Sequence, residues 1–353
     1  MNMSDFQFDL PEEQIALRPA RPRSSARLLV ASGSSVSDST FTELPNHLRP
    51  GDRLVFNDTR VIPARIRGFR IRRTSRGETR AEVEVVLGSH EPEDTWHVLL
   101  RPARRVRVGD HLSFGEGLCA EVVSRDRTGT RLKFNTRGRD FISLLPDAGE
   151  IPLPPYIAKR RPVDPQDTED YQSVFARIPG AVAAPTASLH FDEIVLDGLK
   201  QKGIQMSWIT LHVGFATFMN VRADEIEGDR LHSEWGSITE SAASEINNAR
   251  ERGGRIIPVG TTTLRLLETS ARTCRNTGQI VSSWCGKTDI FIKPGFDFRV
   301  ADALITNFHL PNSTLMMLVS AFMGSGRTRR IYAHAIQNRY RFYSYGDGSL
   351  LIP

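Results

Sequence analysis

The sequence predicts an α/β main domain, a mixed sheet with helices, into which a small antiparallel β-barrel is inserted. Three observations support this prediction. Between about residue 62 and residue 147, short stretches alternate apolar and polar residues with period two. After the prolines of residues 152–155, helix-like and strand-like segments alternate instead. A short apolar strand at residues 54–56 already precedes the barrel-like part, so the barrel is predicted to interrupt the α/β domain.

The period-two pattern recurs along the inserted part. It is found at residues 81–85, 95–100, 118–123 and 130–134. Glycines separate these stretches at turn-like intervals, and several short strands with such spacing favour a small antiparallel barrel. The prolines after residue 151 cannot continue a helix or a central strand. We therefore predict an α/β catalytic domain of residues 1–61 plus 151–353 and an inserted barrel-like domain of residues 62–150.

The rest of the main domain reads as helices and strands in turn. Asp192 can cap a helix that ends at Gly203. Ser313 can cap another, because apolar residues follow it at helical spacing. The sequence further predicts strands at residues 204–213 and 255–259, and helices at residues 239–252, directly after Gly260, and at 329–340.

Composition is that of an ordinary globular protein, with 39% hydrophobic and 25% charged residues. The longest apolar stretch, residues 315–322, is far shorter than the roughly 20 residues that span a bilayer. The first residues contain no apolar run of signal-peptide length. Three cysteines are too few and too widely spaced for a disulfide framework or a thiolate zinc site. We expect a cytoplasmic protein that does not enter a membrane.

Positive charge is unevenly distributed, although the net charge is only +5. Between residues 60 and 80 a single acid, Glu78, stands among eight arginines. Those that we expect to contact RNA are Arg60, Arg65, Arg67, Arg70, Arg72 and Arg73. The stretch could face phosphates. A solvated, arginine-rich pair of strands explains the same pattern and remains an alternative.

Four of the nine histidines lie at turns or predicted strand ends, beside glycine, proline or acidic residues. They are His190, His212, His232 and His309. Ligands of open α/β sheets collect at the carboxyl ends of strands, where an imidazole can transfer protons. Packed histidines and a simple helix cap at Asp192 would explain the same residues without catalysis.

A polar segment opens the helix that follows strand 255–259. Gly260, Thr261 and Thr262 would present amides and hydroxyls at a helix start, which can hold a carboxylate or a phosphate. A threonine-capped helix is the simpler interpretation. The segment at Asn307 similarly brings a polar side chain out of a strand end.

A metal site is the natural rival interpretation of the histidines. No pair has the helical His-x-x-x-His spacing and no cysteine lies near these segments, so we predict no bound metal. A nucleotide P-loop and a GxGxxG fingerprint are also absent from the sequence. An ordinary kinase or dehydrogenase is therefore disfavoured.

At these segments the chain resembles the S-adenosylmethionine:tRNA ribosyltransferase-isomerase family of the queuosine pathway. The matching strings are NDTRVIPAR at 57–65, PLPPYI at 152–157, PGAVAAPTASLHF, TLHVG, HSEW, VGTTTLRLLE, TNFHLPNSTLMMLVSAF and YRFYSYGD. The resemblance runs from residue 6 to residue 347.

The resemblance implies that the ribosyl group of S-adenosylmethionine is transferred and isomerised onto 7-aminomethyl-7-deazaguanine at the wobble position of tRNA. Epoxyqueuosine-tRNA, adenine and methionine would be the products. S-adenosylmethionine would thus be consumed as the ribosyl donor. The partner would be tRNA carrying the 7-deazaguanine precursor, and we expect a monomer.

The same resemblance implies an acid/base set and a donor-binding set. The catalytic candidates are His190, His212, His232, His309, Asp192, Glu193 and Glu234. The candidates for binding S-adenosylmethionine are Thr186, Gly214, Gly260, Thr261, Thr262 and Asn307. The residues by themselves leave two other classes open: a metal-dependent hydrolase and a noncatalytic RNA-binding protein.

Overall fold

Helices are interspersed with strands along the chain except at residues 65–134, where turns and short 3₁₀ helices join strands. The computed structural model describes residues 3–75, 77–115, 117–126, 129–215, 230–275 and 278–353. The strands are β1 Arg27–Ser32, β2 Ser35–Thr40, β3 Arg53–Asn57, β4 Thr59–Val61, β5 Arg65–Thr74, β6 Gly77–Glu91, β7 Thr95–Arg101, β8 His111–Ser113, β9 Cys119–Arg125, β10 Thr130–Phe134, β11 Gly149–Glu150, β12 Ile178–Ala181, β13 Gln205–Leu211, β14 Arg230–Ile238, β15 Ile256–Pro258, β16 Trp284–Ile290, β17 Leu304–Asn307 and β18 Gly348–Ile352. The α-helices are α1 Gly138–Ala148, α2 Pro155–Ala158, α3 Asp167–Asp170, α4 Glu193–Gln201, α5 Glu240–Glu251, α6 Thr261–Thr273, α7 Thr314–Met323 and α8 Ser325–Gln337.

Strands β5 to β10 close into a six-stranded antiparallel barrel. The strand order is β5-β6-β7-β10-β9-β8, and β8 pairs back with β5. Alternate residues of β6, namely Val83, Val85 and Leu87, are buried in its core. Each such side chain contributes about 1.5–3 kcal/mol by leaving water. The predicted antiparallel barrel is confirmed.

A helix that the sequence analysis did not predict, α1, packs against this barrel. Its residues Phe141 and Leu145 are 1% and 0% exposed and belong to the barrel core. Val182 and Phe215, from outside residues 62–150, also enter that core. The barrel therefore shares apolar contacts with the main domain, and the division at residues 62 and 150 stays a prediction.

The main domain contains a mixed sheet of order β15-β3-β13-β14-β16. Strands β15 and β13 both run parallel to β3, and β14 and β16 are antiparallel. All five residues of β3 are buried, as is typical of a parallel strand covered on both faces. A second sheet, β17-β18-β1-β2, lies beside the first, because Val259 and Ile305 form a parallel bridge. The predicted α/β fold with a mixed sheet is confirmed.

Capping side chains begin three of the helices. Asp192, Thr239 and Ser313 each accept a hydrogen bond from a backbone amide in the first turn of α4, α5 and α7. Such caps typically contribute about 1 kcal/mol each. The last long helix was predicted at residues 329–340 but is Ser325–Gln337, because it starts directly after Gly324 and ends near Asn338. No helix in the described ranges is long and apolar enough to cross a membrane.

Candidate active site

The carboxyl ends of three strands of the main sheet and of one strand of the second sheet lie at the same edge of the fold. Strands β3, β13 and β15 are parallel neighbours, and the Val259–Ile305 bridge aligns β17 with β15. Their ends lead into Asn57, His212, Gly260 and Asn307. We call this the strand-end site. Its location follows from parallel pairing, which places the ends of the strands at the same edge.

Asn57 ties two of these strands together and is fully buried. Its Oδ1 accepts from the amides of Leu211 at 3.0 Å and Thr59 at 3.1 Å. Its Nδ2 donates to the carbonyl of Leu211 at 2.9 Å and lies 3.5 Å from Oγ1 of Thr262. The side chain thus satisfies the backbone where the β3–β13 ladder ends. Asn57 lies in the NDTR string, but sequence analysis assigned it no role.

His212 lies at the end of β13 with its ring held from two sides. Its Nδ1 is 2.7 Å from Oγ1 of Thr59, and the ring stacks on Trp235 with centroids 5.0 Å apart. A Cβ at Gly180 would lie 2.7 Å from Nε2, so only glycine permits this approach. Burial lowers the pKa of His212 to about 4, although Asp58 opposes the shift. The imidazole is therefore neutral at pH 7 and able to accept a proton.

His190 ends the 3₁₀ helix Thr186–His190 and stacks on Phe41, with centroids 4.1 Å apart. Burial lowers its pKa to about 4, against the smaller opposing effects of Asp347 and Asn307. Among the described residues, Nε2 of His190 and Oδ1 of Asn307 are both buried and make no hydrogen bond of good geometry, although the Asn307 side chain lies close enough to His190 to raise its pKa. An unsatisfied buried polar atom is costly, by about 1–3 kcal/mol, so these two atoms are candidates for contacts with a ligand.

His309 follows β17, and its pKa is lowered more than the pKa of His190 or of His212. Its Nε2 is 3.0 Å from Oγ1 of Thr306, and its amide donates to the hydroxyl of Tyr332 at 3.0 Å. Burial lowers its pKa to about 3. His190 and His309 are only 4% and 9% exposed, so their turns bury both imidazoles. The reason is tertiary, since aromatic residues from other parts of the chain cover both turns.

A buried ion pair joins β14 to α6 beside the end of β13. Glu234, 3% exposed, pairs with Arg265, 6% exposed, and its Oε1 accepts from the amide of Gly214 at 3.4 Å. Burial favours the neutral acid, yet Arg265 and His232 hold the pKa of Glu234 below its usual value. Glu234 is therefore a carboxylate at neutral pH and unsuited to donate a proton. His232 Nε2 lies 3.8 Å from Oε1 of Glu234.

Arg265 is the functional candidate that sequence analysis missed. Nε donates to the carbonyl of Ile290 at 3.3 Å and Nη1 to Glu234, while Nη2 is buried with no partner in the described part of the chain. Arg265 lies four residues after Thr261, on the same face of α6. That spacing in the string TTTLR is the signal that could have identified it.

The start of α6 faces the segment that contains His190. The amide of Gly260 donates to the carbonyl of Ile305 at 2.8 Å, and a Cβ at Gly260 would lie 3.7 Å from that of Ala187. Thr261 is buried and Thr262 is partly exposed beside Asn57. Thr186 opens the neighbouring 3₁₀ helix. The donor-binding candidates Thr186, Gly214, Gly260, Thr261, Thr262 and Asn307 thus lie at or beside the strand-end site.

Within the described residues, neither Asp192 nor Glu193 makes a hydrogen bond or an ion pair with a residue of the strand-end site. The Asp192 carboxylate accepts from the amides of Val195 at 3.3 Å and Ser24 at 3.0 Å, which is a capping role. Glu193 is exposed in the first turn of α4. The simpler sequence interpretation, a helix cap, describes Asp192, and a catalytic role for either residue stays a prediction without a supporting contact.

Most of the arginines expected to bind RNA are engaged within the barrel. Arg65 and Arg67 pair with Glu84, at 2.6 and 3.5 Å, and Arg72 pairs with Asp110 at 2.6 Å. Arg70 donates to the carbonyl of Arg105 at 2.7 Å. Arg60 is exposed, and the side chain of Arg73 lies outside the described part. Glu84 on the neighbouring strand β6 and Asp110 just before β8 are therefore acids that balance the charges of three of these arginines.

No group of three or more histidine, cysteine, aspartate or glutamate side chains in the described residues is arranged to hold a metal ion. The prediction that no metal takes part remains a prediction.

Acid should destabilise the fold through the three histidines whose pKa is lowered, His190, His212 and His309. In the unfolded chain histidine titrates near a pKa of about 6.5, whereas the folded values are about 4 for His190 and His212 and about 3 for His309. Above pH 6.5 all three are neutral in both states. Below it only the unfolded chain gains protons, so the free energy of unfolding falls as the pH drops from 6.5 to 4, by about 1.4 kcal/mol per pH unit per histidine.

Urea unfolding between pH 5 and pH 7 measures this slope. His309→Gln should reduce the slope by the contribution of about one proton, whatever its effect on stability at pH 7. Equal slopes for the variant and the unchanged protein would contradict the assignment.

Comparisons with known proteins agree over the whole chain. A family model described as "Queuosine biosynthesis protein" matches residues 3–351. S-adenosylmethionine:tRNA ribosyltransferase-isomerase of Ruegeria sp. (strain TM1040) is 56% identical over 353 residues, covering 100% of both chains. The protein of that name from Caulobacter vibrioides is 50% identical, covering 99% of this chain and 98% of its own. The crystal structure of S-adenosylmethionine tRNA ribosyltransferase from Thermotoga maritima is 34% identical with a TM-score of 0.55, covering 99% of this chain and 100% of that one. The chain therefore belongs to the queuosine biosynthesis protein family.

Proposed function

We propose that this chain is a transferase-isomerase that moves the ribosyl group of S-adenosylmethionine onto 7-aminomethyl-7-deazaguanine at the wobble position of tRNA. Epoxyqueuosine-tRNA, adenine and methionine are the products. The observation that supports the proposal is the strand-end site, an edge of the fold that carries neutral imidazoles and unsatisfied polar atoms in a chain 56% identical to a ribosyltransferase-isomerase. A cytoplasmic location and a monomeric state belong to the same proposal.

The reaction requires proton transfers at two places. The sulfonium of S-adenosylmethionine acidifies the neighbouring ribose C5′ hydrogen, which a positioned base must remove. The departing adenine needs a proton or hydrogen bonds at its leaving nitrogen. His212, held neutral at pH 7 and fixed by Thr59, suits the base. His190 and Asn307, whose side chains lie beside each other and whose Nε2 and Oδ1 make no hydrogen bond of good geometry in the described residues, can hydrogen-bond to a purine or ribose.

The methionine part of the donor carries a carboxylate and an ammonium group. The unpaired Nη2 of Arg265 can bind the carboxylate together with the amides at the start of α6, near Thr261. Glu234, ionised beside Arg265, can accept from the ammonium group. These residues therefore fit the amino-acid end of S-adenosylmethionine without any metal.

Adenine release tests the proposed function. The protein is incubated with S-adenosylmethionine and with tRNA from cells that lack this transfer step, so that the tRNA carries 7-aminomethyl-7-deazaguanine at the wobble position. We expect adenine and methionine in equal amounts, only when this tRNA is present, and the same rate after addition of a chelator. A rate abolished by the chelator would support a metal-dependent hydrolase instead. Tight tRNA binding without any adenine would support a noncatalytic RNA-binding protein.

A further inference from the structure

Four exposed arginines crowd the connection between β7 and β8. They are Arg101, Arg104, Arg105 and Arg107. The 3₁₀ helix Ala103–Arg105 shapes this connection, and Val106, 1% exposed, anchors it in the barrel core. We call residues 101–107 the arginine turn. Because its backbone is fixed by a buried residue, the guanidinium groups extend from a defined surface.

Two further arginines lie against the backbone of the arginine turn. Nη1 of Arg70 donates to the carbonyl of Arg105, and Nη1 of Arg125 donates to the carbonyl of Val106, both at 2.7 Å. Both hydrogen bonds go to backbone carbonyl groups, which are uncharged. They therefore do not neutralise the positive charge of either arginine. The surface thereby collects six guanidinium groups from three parts of the barrel.

Asp110 is the acidic residue that follows the arginine turn. Its carboxylate is already engaged in hydrogen bonds. Arg72 donates to both of its carboxylate oxygens, at 2.6 and 2.8 Å, and the amide of Arg107 donates at 2.8 Å. Although burial opposes them, these bonds keep the pKa of Asp110 below its usual value. Within the described ranges, the guanidinium groups of Arg101, Arg104, Arg105 and Arg107 have no ion-pair partner. This differs from Arg65, Arg67 and Arg72, whose charges are balanced.

We propose that the arginine turn is a phosphate-binding surface for the tRNA, a proposal that rests on the proposed function. Arginine forks match phosphate oxygens, and binding gains free energy by releasing the counterions of the nucleic acid. An arginine already paired with a buried carboxylate gains less from a phosphate. The arginine turn, whose positive charges are not balanced by acids, is therefore the RNA contact. The arginine-rich strand at residues 65–73 is not.

The test compares two triple variants that remove the same charge. R104A/R105A/R107A alters the arginine turn, and R327A/R329A/R330A alters α8 as the control. Binding of unmodified tRNA is measured by filter retention between 50 and 200 mM salt, and thermal midpoints check folding. Each lost phosphate contact lowers the salt slope by about 0.7–0.9. We expect a slope lower by about 2 and at least about tenfold weaker binding for the arginine-turn variant alone.

A third variant distinguishes the effect of the positive charge on tRNA binding from the effect of the guanidinium shape. R104K/R105K/R107K keeps the positive charges and should keep most of the salt slope, even if the alanine variant folds poorly. Equal slopes for the arginine-turn and control variants would overturn the proposal, as would a lysine variant that loses the slope while folded. Adenine release by the unchanged protein is measured in parallel. If no adenine is released, the proposed function is contradicted. If adenine is released but the arginine-turn and control variants have equal salt slopes, only the proposal for the arginine turn is contradicted.

Discussion

Replacing His212 by alanine is expected to lower the rate of adenine release by about a hundredfold or more while tRNA still binds. General bases commonly supply about 10²–10⁴ of rate and little ground-state affinity. Its ring is fixed by Thr59 at 2.7 Å and by Trp235, and its lowered pKa keeps it neutral. The measurement is single-turnover adenine release at saturating tRNA, together with the tRNA dissociation constant.

His47 provides the matched control. It is a partly buried histidine whose Nε2 lies 3.0 Å from Oγ of Ser39, away from the strand-end site. His47→Ala should retain the rate. His190→Ala and His309→Ala belong in the same series, with thermal midpoints, because both rings are buried. Near-normal rates in all three site variants, or losses of rate that only follow losses of stability, would remove the catalytic role.

Replacing Arg265 by glutamine is expected to weaken binding of S-adenosylmethionine by about ten- to a hundredfold, the range of one charge-assisted hydrogen bond. Binding of 5′-methylthioadenosine should hardly change, because that compound lacks the amino-acid end. The ratio of the two dissociation constants therefore reports the contact itself. Calorimetric titration with both compounds measures the ratio.

Removing Arg265 alone leaves the buried Glu234 carboxylate without its partner, which destabilises proteins by about 3–5 kcal/mol. The double variant R265Q/E234Q avoids this and should lose the same discrimination. Arg272→Gln is the control, since Arg272 pairs with Glu268 at 2.9 Å on the same helix. If the variants weaken binding of both compounds equally, Arg265 only supports the fold and the carboxylate lies elsewhere.

Local patterns in the sequence were sufficient for the fold class. Period-two alternation predicted the barrel because alternate side chains of a strand face one core, as Val83 and Val85 do. Asp192 and Ser313 predicted helix starts because a cap depends only on residues within one turn. Glycine after a strand predicted the start of α6. The helix α1 was missed because it contains Pro146 and lies within a part of the chain that otherwise alternates as strands, and it is stabilised by burial of Phe141 and Leu145.

By itself, the sequence determined which segments lie at strand ends and turns, and it contained the motifs that identify the family. Only the tertiary structure decided which side chains meet and what charge they carry. Glu84 of β6 and Asp110, just before β8, neutralise arginines of β5, and Arg265 fixes the charge of Glu234 across 31 positions. Burial from distant segments lowers the pKa of His190 and His309. Charge pairing and desolvation depend on distances between residues far apart in the chain, and local pattern carries no information about those distances.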